Sequence, residues 1–197
     1  MPRSAVERMV SDVSWAISRG LPKRDLLAML KRLIASAAPG SPEQSFAKLE
    51  LSELVVGDEP FRAARLALDV LKEEGPEPRA FGVLGIAHSL LGNFRAARRA
   101  YERAVELEPE HPAYRHNLGH LLDIAFDRPR EALRHLALAR RVRPSEPAIV
   151  TSEAHALTRA GQAARAVQLL ERTLGWSHAE AESRVEGWLA ATPNARD

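Results

Sequence analysis

Apolar residues recur at helical spacing along almost the whole chain. Val6, Met9, Val10, Val13 and Ile17 make one stripe, and Leu26, Leu27, Leu30, Leu33 and Ile34 make the next. Period-two alternation bounded by turn residues, which marks a strand, is hard to find. The breaks between stripes are chemically explicit. Ser4 with Glu7, Ser41 with Gln44 and Ser177 with Glu180 have capping-box spacing, in which a hydroxyl and a side chain three residues on satisfy orphan N–H donors. Pro22, Pro42, Pro60, Pro112, Pro129 and Pro147 fall near helix starts, where a missing N–H costs little. Gly20, Gly40, Gly92 and Gly161 stand where the chain turns. The pattern predicts about eleven helices of roughly 11–17 residues, joined by short loops and divided by no long linker.

Self-comparison adds a period. The run Phe94-Arg-Ala-Ala-Arg-Arg-Ala-Tyr through Pro109 lines up with Phe61-Arg-Ala-Ala-Arg-Leu-Ala-Leu through Pro76, 33 residues earlier. A third copy, Pro129-Arg-Glu-Ala132 through Leu136, Ala139 and Pro144, follows 35 residues later. A period in this range marks a helical solenoid, because one helix pair cannot bury its apolar face alone and stacked pairs can.

The residues inside the period resemble the tetratricopeptide repeat (TPR). From Pro78, Phe81 is the large residue, Leu84-Gly85 the Leu-Gly pair and His88 the aromatic position, followed by Gly92, Ala97, Tyr101, Ala104 and Pro109. The copy from Pro112 has Leu118-Gly119, Leu122, Ala132, Leu136, Ala139 and Pro144, with one extra residue around Phe126-Asp127. The copy from Pro147 keeps Ala154, Leu157, Gly161, Ala166 and Leu170, and an earlier copy near Ser45 to Glu77 shows mainly in its second helix. The resemblance implies an all-α, right-handed superhelix of antiparallel helix pairs with terminal capping helices. Residues 1–41 are an N-terminal helical pair: a cap, a degenerate repeat or a separate contact surface. Residues 42–175 are an array of about four repeats, clearest at 78–111 and 112–146, and residues 176–197 are a capping helix and tail. Gly85, Gly119 and Ala97 are small where helices cross closely. Phe81, Leu84, Tyr101, Leu118 and Leu136 fill the space between helices, and Ala181, Val185, Trp188 and Leu189 give the last helix one apolar side.

Similarity to TPR proteins implies binding rather than catalysis, with the first helix of each repeat lining a concave groove for an extended or helical peptide. The positions that carry over as groove candidates include Arg79, Ile86, His116, Asn117, His120, Asp123, His155 and Arg159. Asn117 offers donor and acceptor together, suited to a ligand's backbone. One TPR subclass clamps a C-terminal carboxylate with Lys and Asn at the fifth and ninth positions. Gly82 and Ile86, then His116 and His120, stand there in this chain, which speaks against binding a chaperone tail and leaves Arg79 and Arg159 to receive other acidic groups.

His116, His120 and Asp123 have i, i+4, i+7 spacing on one helix face. Two His at i, i+4 can bind zinc, but a catalytic site needs a third ligand and an open position, and the run His-Asn-Leu-Gly-His lacks the Glu of a helical metalloprotease. A His-dependent metalloenzyme is therefore the minor alternative. With no Gly-rich phosphate loop, nucleophile elbow or paired carboxylates, neither catalytic residues, cofactor nor metal is expected.

Composition sharpens the partner. The 197 residues contain no Cys, which removes disulfides, thiolate metal sites and cysteine nucleophiles. Net charge is only +2, yet residues 95–143 carry 11 basic and 7 acidic side chains while residues 42–77 carry 4 and 9. The Arg-rich stretch falls on second helices and suits an acidic partner; scarce aromatics argue against nucleic acid. Glu7 and Asp12 interrupt the first apolar stretch, so no signal peptide is expected, and no apolar run reaches the length of a membrane span. The sequence thus points to a cytoplasmic, non-catalytic adaptor for a protein or peptide partner, as part of a bacterial assembly. A chaperone similar to those of type III secretion is the alternative.

Overall fold

The computed structural model describes residues 4–191, which form eleven α-helices and no strand. They are α1 (Ala5–Ser18), α2 (Lys23–Ser36), α3 (Pro42–Val55), α4 (Pro60–Glu74), α5 (Pro78–Leu90), α6 (Phe94–Leu107), α7 (Pro112–Ile124), α8 (Pro129–Val142), α9 (Pro147–Arg159), α10 (Ala163–Leu174) and α11 (His178–Ala191). The tail expected after α11 lies outside the described residues. Proline opens six of these helices at the first helical positions. Two of the three predicted capping boxes are complete, at Ser4/Glu7 and Ser177/Glu180. At the third, Ser41 accepts from the Gln44 N–H, but Gln44 reaches one residue further back, to Gly40 N–H.

Close packing divides the chain after Leu107 into two compact units. The first unit holds α1 to α6. Each helix packs on the next, and α1 also touches α3 as α3 touches α5, so α1 and α2 extend the stack in the manner of a further pair. Its core runs from Val13, Leu30 and Leu33 through Leu51, Val55 and Val70 to Val83 and Leu84. The second unit holds α7 to α11. There α11 packs on both α9 and α10, taking the place of a next first helix; Val150, Leu157, Leu170, Ala181 and Val185 form a core under α9 to α11, and Leu118, Leu122 and Leu136 are buried between α7 and α8. Both units are stacks of helix pairs, the construction of a TPR-like solenoid.

The two Leu-Gly pairs do what their spacing predicts. A Cβ built on Gly85 would meet the Tyr101 ring at 2.3 Å, and one on Gly119 would meet Leu136 Cγ at 2.7 Å. Leu84, Tyr101, Leu118 and Leu136 are buried. Phe81 is only half-buried, with the Arg103 guanidinium lying over its ring at 5.9 Å. Leu189 departs from the expected apolar side of α11: it is 48% exposed, because it borders an open cleft of about 500 Å³ between α10 and α11 instead of joining the core.

The turns within the pairs α5–α6 and α9–α10 share one design, from which the α7–α8 turn departs. Gly92 and Gly161 adopt φ of +72° and +80°, and the next residue's N–H bonds a carbonyl five residues back, Asn93 to His88 and Gln162 to Leu157. Between α7 and α8 the extra residue lengthens that span to six, Arg128 to Leu122, and the left-handed position falls to Asp127 at φ +53°. It is the one non-glycine with positive φ among the described residues.

Candidate binding surface on the first helices

In the second unit, the groove candidates on α7 and α9 meet one another. His116 Nε2 lies 3.0 Å from Ser152 Oγ, and His120 Nδ1 lies 3.5 Å from the same hydroxyl. One Ser thus stands between two imidazoles whose centroids are 6.1 Å apart. One turn further along, Asp123 is buried at 1% exposure and accepts from His155 Nδ1 at 2.5 Å and from Arg159 Nη1 at 3.0 Å. A carboxylate only accepts, so the His155 proton facing it sits on Nδ1. Arg159 also donates to the Asp123 backbone carbonyl and, through Nη2, to Asp127. Trp188 on α11 stands edge-on to His155, 5.2 Å between centroids.

Burial lowers the pKa of both His116 and His120. For His116 the neighbouring His120 charge adds to the effect, while the Ala148 backbone, Glu146 and the Asn117 side chain oppose it. For His120, Asp123 opposes and His155 adds. Both imidazoles therefore favour the neutral form, in which each offers one donor and one acceptor. Asn117 is half-buried beside His116, and His120 is exposed. Asp123 contributes by fixing His155 and Arg159.

The first unit presents a different surface. Arg79 on α5 is clamped by two carboxylates of α3, donating from Nε to Glu53 Oε1 at 2.8 Å and from Nη2 to Glu50 Oε1 and Glu53 Oε2, both at 2.7 Å. Those bonds, to Glu53 first, raise its pKa despite partial burial, so its charge is already balanced. Ile86 is half-buried about two turns further along the same helix.

No group of three or more His, Asp and Glu among the described residues has the arrangement of a metal site. The reason is visible at α7: His116 and His120 turn toward Ser152, whereas Asp123 turns toward His155 and Arg159. The i, i+4, i+7 spacing placed the three on one face but could not foresee the partners α9 supplies. Ser152, although among the inward positions of its repeat, carries more of the arrangement than its sequence position suggested. Its signal is the period itself: the bonds span 36 residues for His116 to Ser152 and Asp123 to Arg159, and 32 for His120 to Ser152 and Asp123 to His155, one repeat length plus or minus about half a helical turn.

The Arg-rich second helices are partly self-neutralised. Arg98 pairs with Glu102, Arg103 with Glu106, Arg128 with Glu131 and Arg140 with Glu153. No helix among the described residues is long and apolar enough to cross a membrane.

Residues 78–111 match the model of the tetratricopeptide repeat. Over 114 residues, 58% of this chain, the sequence is 31% identical to Protein FlbA of Caulobacter vibrioides; the chain spans about a fifth of that protein's length, 19%. Among solved structures, MamA superposes with a TM-score of 0.66 at 16% identity, covering 93% of this chain and 99% of MamA. TTC0263, a thermophilic TPR protein of Thermus thermophilus, superposes with a TM-score of 0.68 at 15% identity, covering 94% of this chain and all (100%) of that one. At these identities the likeness is one of fold.

Proposed function

Because this chain is a tetratricopeptide-repeat protein, we propose that it is a non-catalytic adaptor, working in the cytoplasm, that holds a partner peptide or helix against its first helices. The observation that carries this reading is the ladder from α7 to α9. His116, Asn117, His120 and His155 keep polar atoms at a partly exposed surface while Ser152 and Asp123 fix the orientation of three of them. Preorganised donors and acceptors lose little entropy when a partner's backbone arrives, which is how a rigid polar face gains affinity. In the first unit Ile86 offers apolar contact, and Arg79 and its two glutamates offer a charge-balanced one. Arg159, held by Asp123 and Asp127, supplies the cationic edge on α9.

The reading is tested by capturing a partner, confirming direct binding with purified components and measuring its affinity for the Asn117→Ala/His120→Ala double variant. The expected result is a loss of about tenfold or more, equivalent to roughly 1.4 kcal/mol, with an unchanged far-UV spectrum. An affinity equal to that of the parent removes α7 from the binding surface. Affinity should also weaken from pH 7.5 to 5.5 as the two imidazoles charge against each other; a flat profile refutes that part.

A further inference from the structure

A charged concavity of the second unit adjoins the far end of the ladder, with Arg159 shared between the two. It is a cleft of about 590 Å³ bounded by the α7–α8 turn, the first turns of α8 and the end of α9. Arg128, Arg130, Arg134 and Arg159 line it, against the two carboxylates Asp127 and Glu131. Two of the guanidiniums are matched from within: Arg128 Nε to Glu131 Oε2 at 2.7 Å, and Arg159 to Asp123 and Asp127. Arg130 and Arg134 are exposed and have no carboxylate partner among the described residues. They stand at i, i+4 on α8, so they share a face, and like charges there oppose helix formation.

Asp127 shows how an oxyanion sits in this cleft. The homologous turns use Gly92 and Gly161 for the left-handed residue, and glycine adopts that conformation without steric cost. Here an inserted residue puts Asp127 at φ +53°, and its largely exposed carboxylate rests on Arg159 Nη2. One acidic side chain of the protein itself thus occupies one edge, while two guanidiniums beside it remain unmatched.

We propose that this cleft is a second binding site, for the oxyanion side chains of a partner peptide segment. Arg130 and Arg134 take the anion through charge-assisted bonds, and Asp127 competes with it for Arg159. Guanidinium forks match carboxylate and phosphate alike, so acidic and phosphorylated side chains share the chemistry. The volume holds more than one such side chain. Nucleic acid fits less well, since no aromatic residue lines the cleft for stacking and a chain with net charge +2 gains little from counterion release.

The test uses the full chain and fluorescence anisotropy with three labelled peptides of one length: a run of Glu, a run containing phosphoserine, and the same run with Gln. Either anionic peptide is expected to bind and the Gln peptide not, the better of the two identifying the natural source. Arg130→Ala/Arg134→Ala should reduce affinity by about tenfold or more. Asp127→Gly should increase it about threefold, because it removes the competing carboxylate and accepts the turn's conformation. Arg95→Ala/Arg99→Ala on α6 should change nothing. Equal losses from the α6 and α8 pairs would reduce the site to diffuse surface charge, and equal competition by duplex DNA would make it a general polyanion surface; either overturns the proposal. Loss only in the Asn117→Ala/His120→Ala variant would place the peptide on the first helices, rejecting the cleft while the adaptor reading stands. Absence of binding by both anionic peptides rejects the cleft without touching that reading.

Discussion

Three glycines inside helices should respond to alanine with opposite signs. Alanine is about 1 kcal/mol better than glycine within a helix, so any loss on substitution measures what the new methyl meets. At Gly85 the Cβ would lie 2.3, 2.4 and 2.7 Å from three ring carbons of Tyr101. Carbon pairs rest at about 3.5–4.0 Å, so the ring must retreat by more than ~1 Å from a site where only 3% of Tyr101 reaches solvent. That places the overpacking penalty near the upper end of the usual range, about 3 kcal/mol, and the net loss near 2 kcal/mol. At Gly119 the methyl meets Leu136 Cγ at 2.7 Å and the Ala132 carbonyl oxygen at 3.1 Å. The backbone atom cannot move without α8, so a net loss of about 1–2 kcal/mol follows. Gly187 has nothing within 4 Å of its would-be Cβ, so Gly187→Ala should stabilise, by about 0.5–1 kcal/mol near the end of α11. Urea denaturation followed by far-UV circular dichroism reads all three, and thermal midpoints should shift by roughly 2–4 °C per kcal/mol. A Gly85→Ala protein as stable as the parent would refute the close crossing of α5 and α6.

Two further outcomes follow from the charged groups. His116, half-buried against α9, has a folded pKa below its ordinary one, because burial disfavours the charged ring. The stability this gives is complete above about pH 6.5 and is lost as pH falls from there through the lowered folded value. Thermal midpoints measured from pH 7.5 to 5 should therefore drop more steeply in the parent than in His116→Gln; parallel curves would deny the burial. The exposed His178 works in the opposite sense, its pKa raised by Glu171, so it does not account for such a drop. Arg140→Ala leaves the Glu153 carboxylate, 6% exposed, without its guanidinium and should cost about 1–3 kcal/mol, whereas Arg79→Ala leaves Glu50 and Glu53, whose side chains are 14% and 40% exposed, within better reach of water and should cost about 1 kcal/mol. Denaturant midpoints compare the two, and equal losses would contradict the difference in burial.

The helices were legible in the sequence because their signals are local. Prolines at first positions, Ser caps and turn glycines each act within four residues, and the small residues at 85 and 119 announce a crossing whatever lies across it. The 33-residue period then supplied the stacking. What the sequence withheld was the pairing of polar groups between successive first helices. His116 as a lone letter fits a peptide contact or a solvated residue, and less well a metal ligand, and only the arrival of Ser152 from the next repeat decides among its partners. The fate of Arg79 was hidden for the same reason, since its carboxylates belong to the preceding pair. Asp127 was visible as an inserted residue in a turn. Its left-handed backbone and its hold on Arg159 required the register of α9 against that turn.

The bonds between α7 and α9 also bear on how such a protein can be rebuilt. His116 with Ser152, and Asp123 with His155 and Arg159, are each divided between two successive repeats. A single repeat duplicated within the gene, or grafted into another scaffold, would arrive with half of every pair. It would leave Asp123 as a buried carboxylate with no cation, the kind of orphan that folding penalises heavily. The smallest portable module of this surface is therefore the junction between two repeats, and recombination that preserves it must cut inside repeats instead of between them.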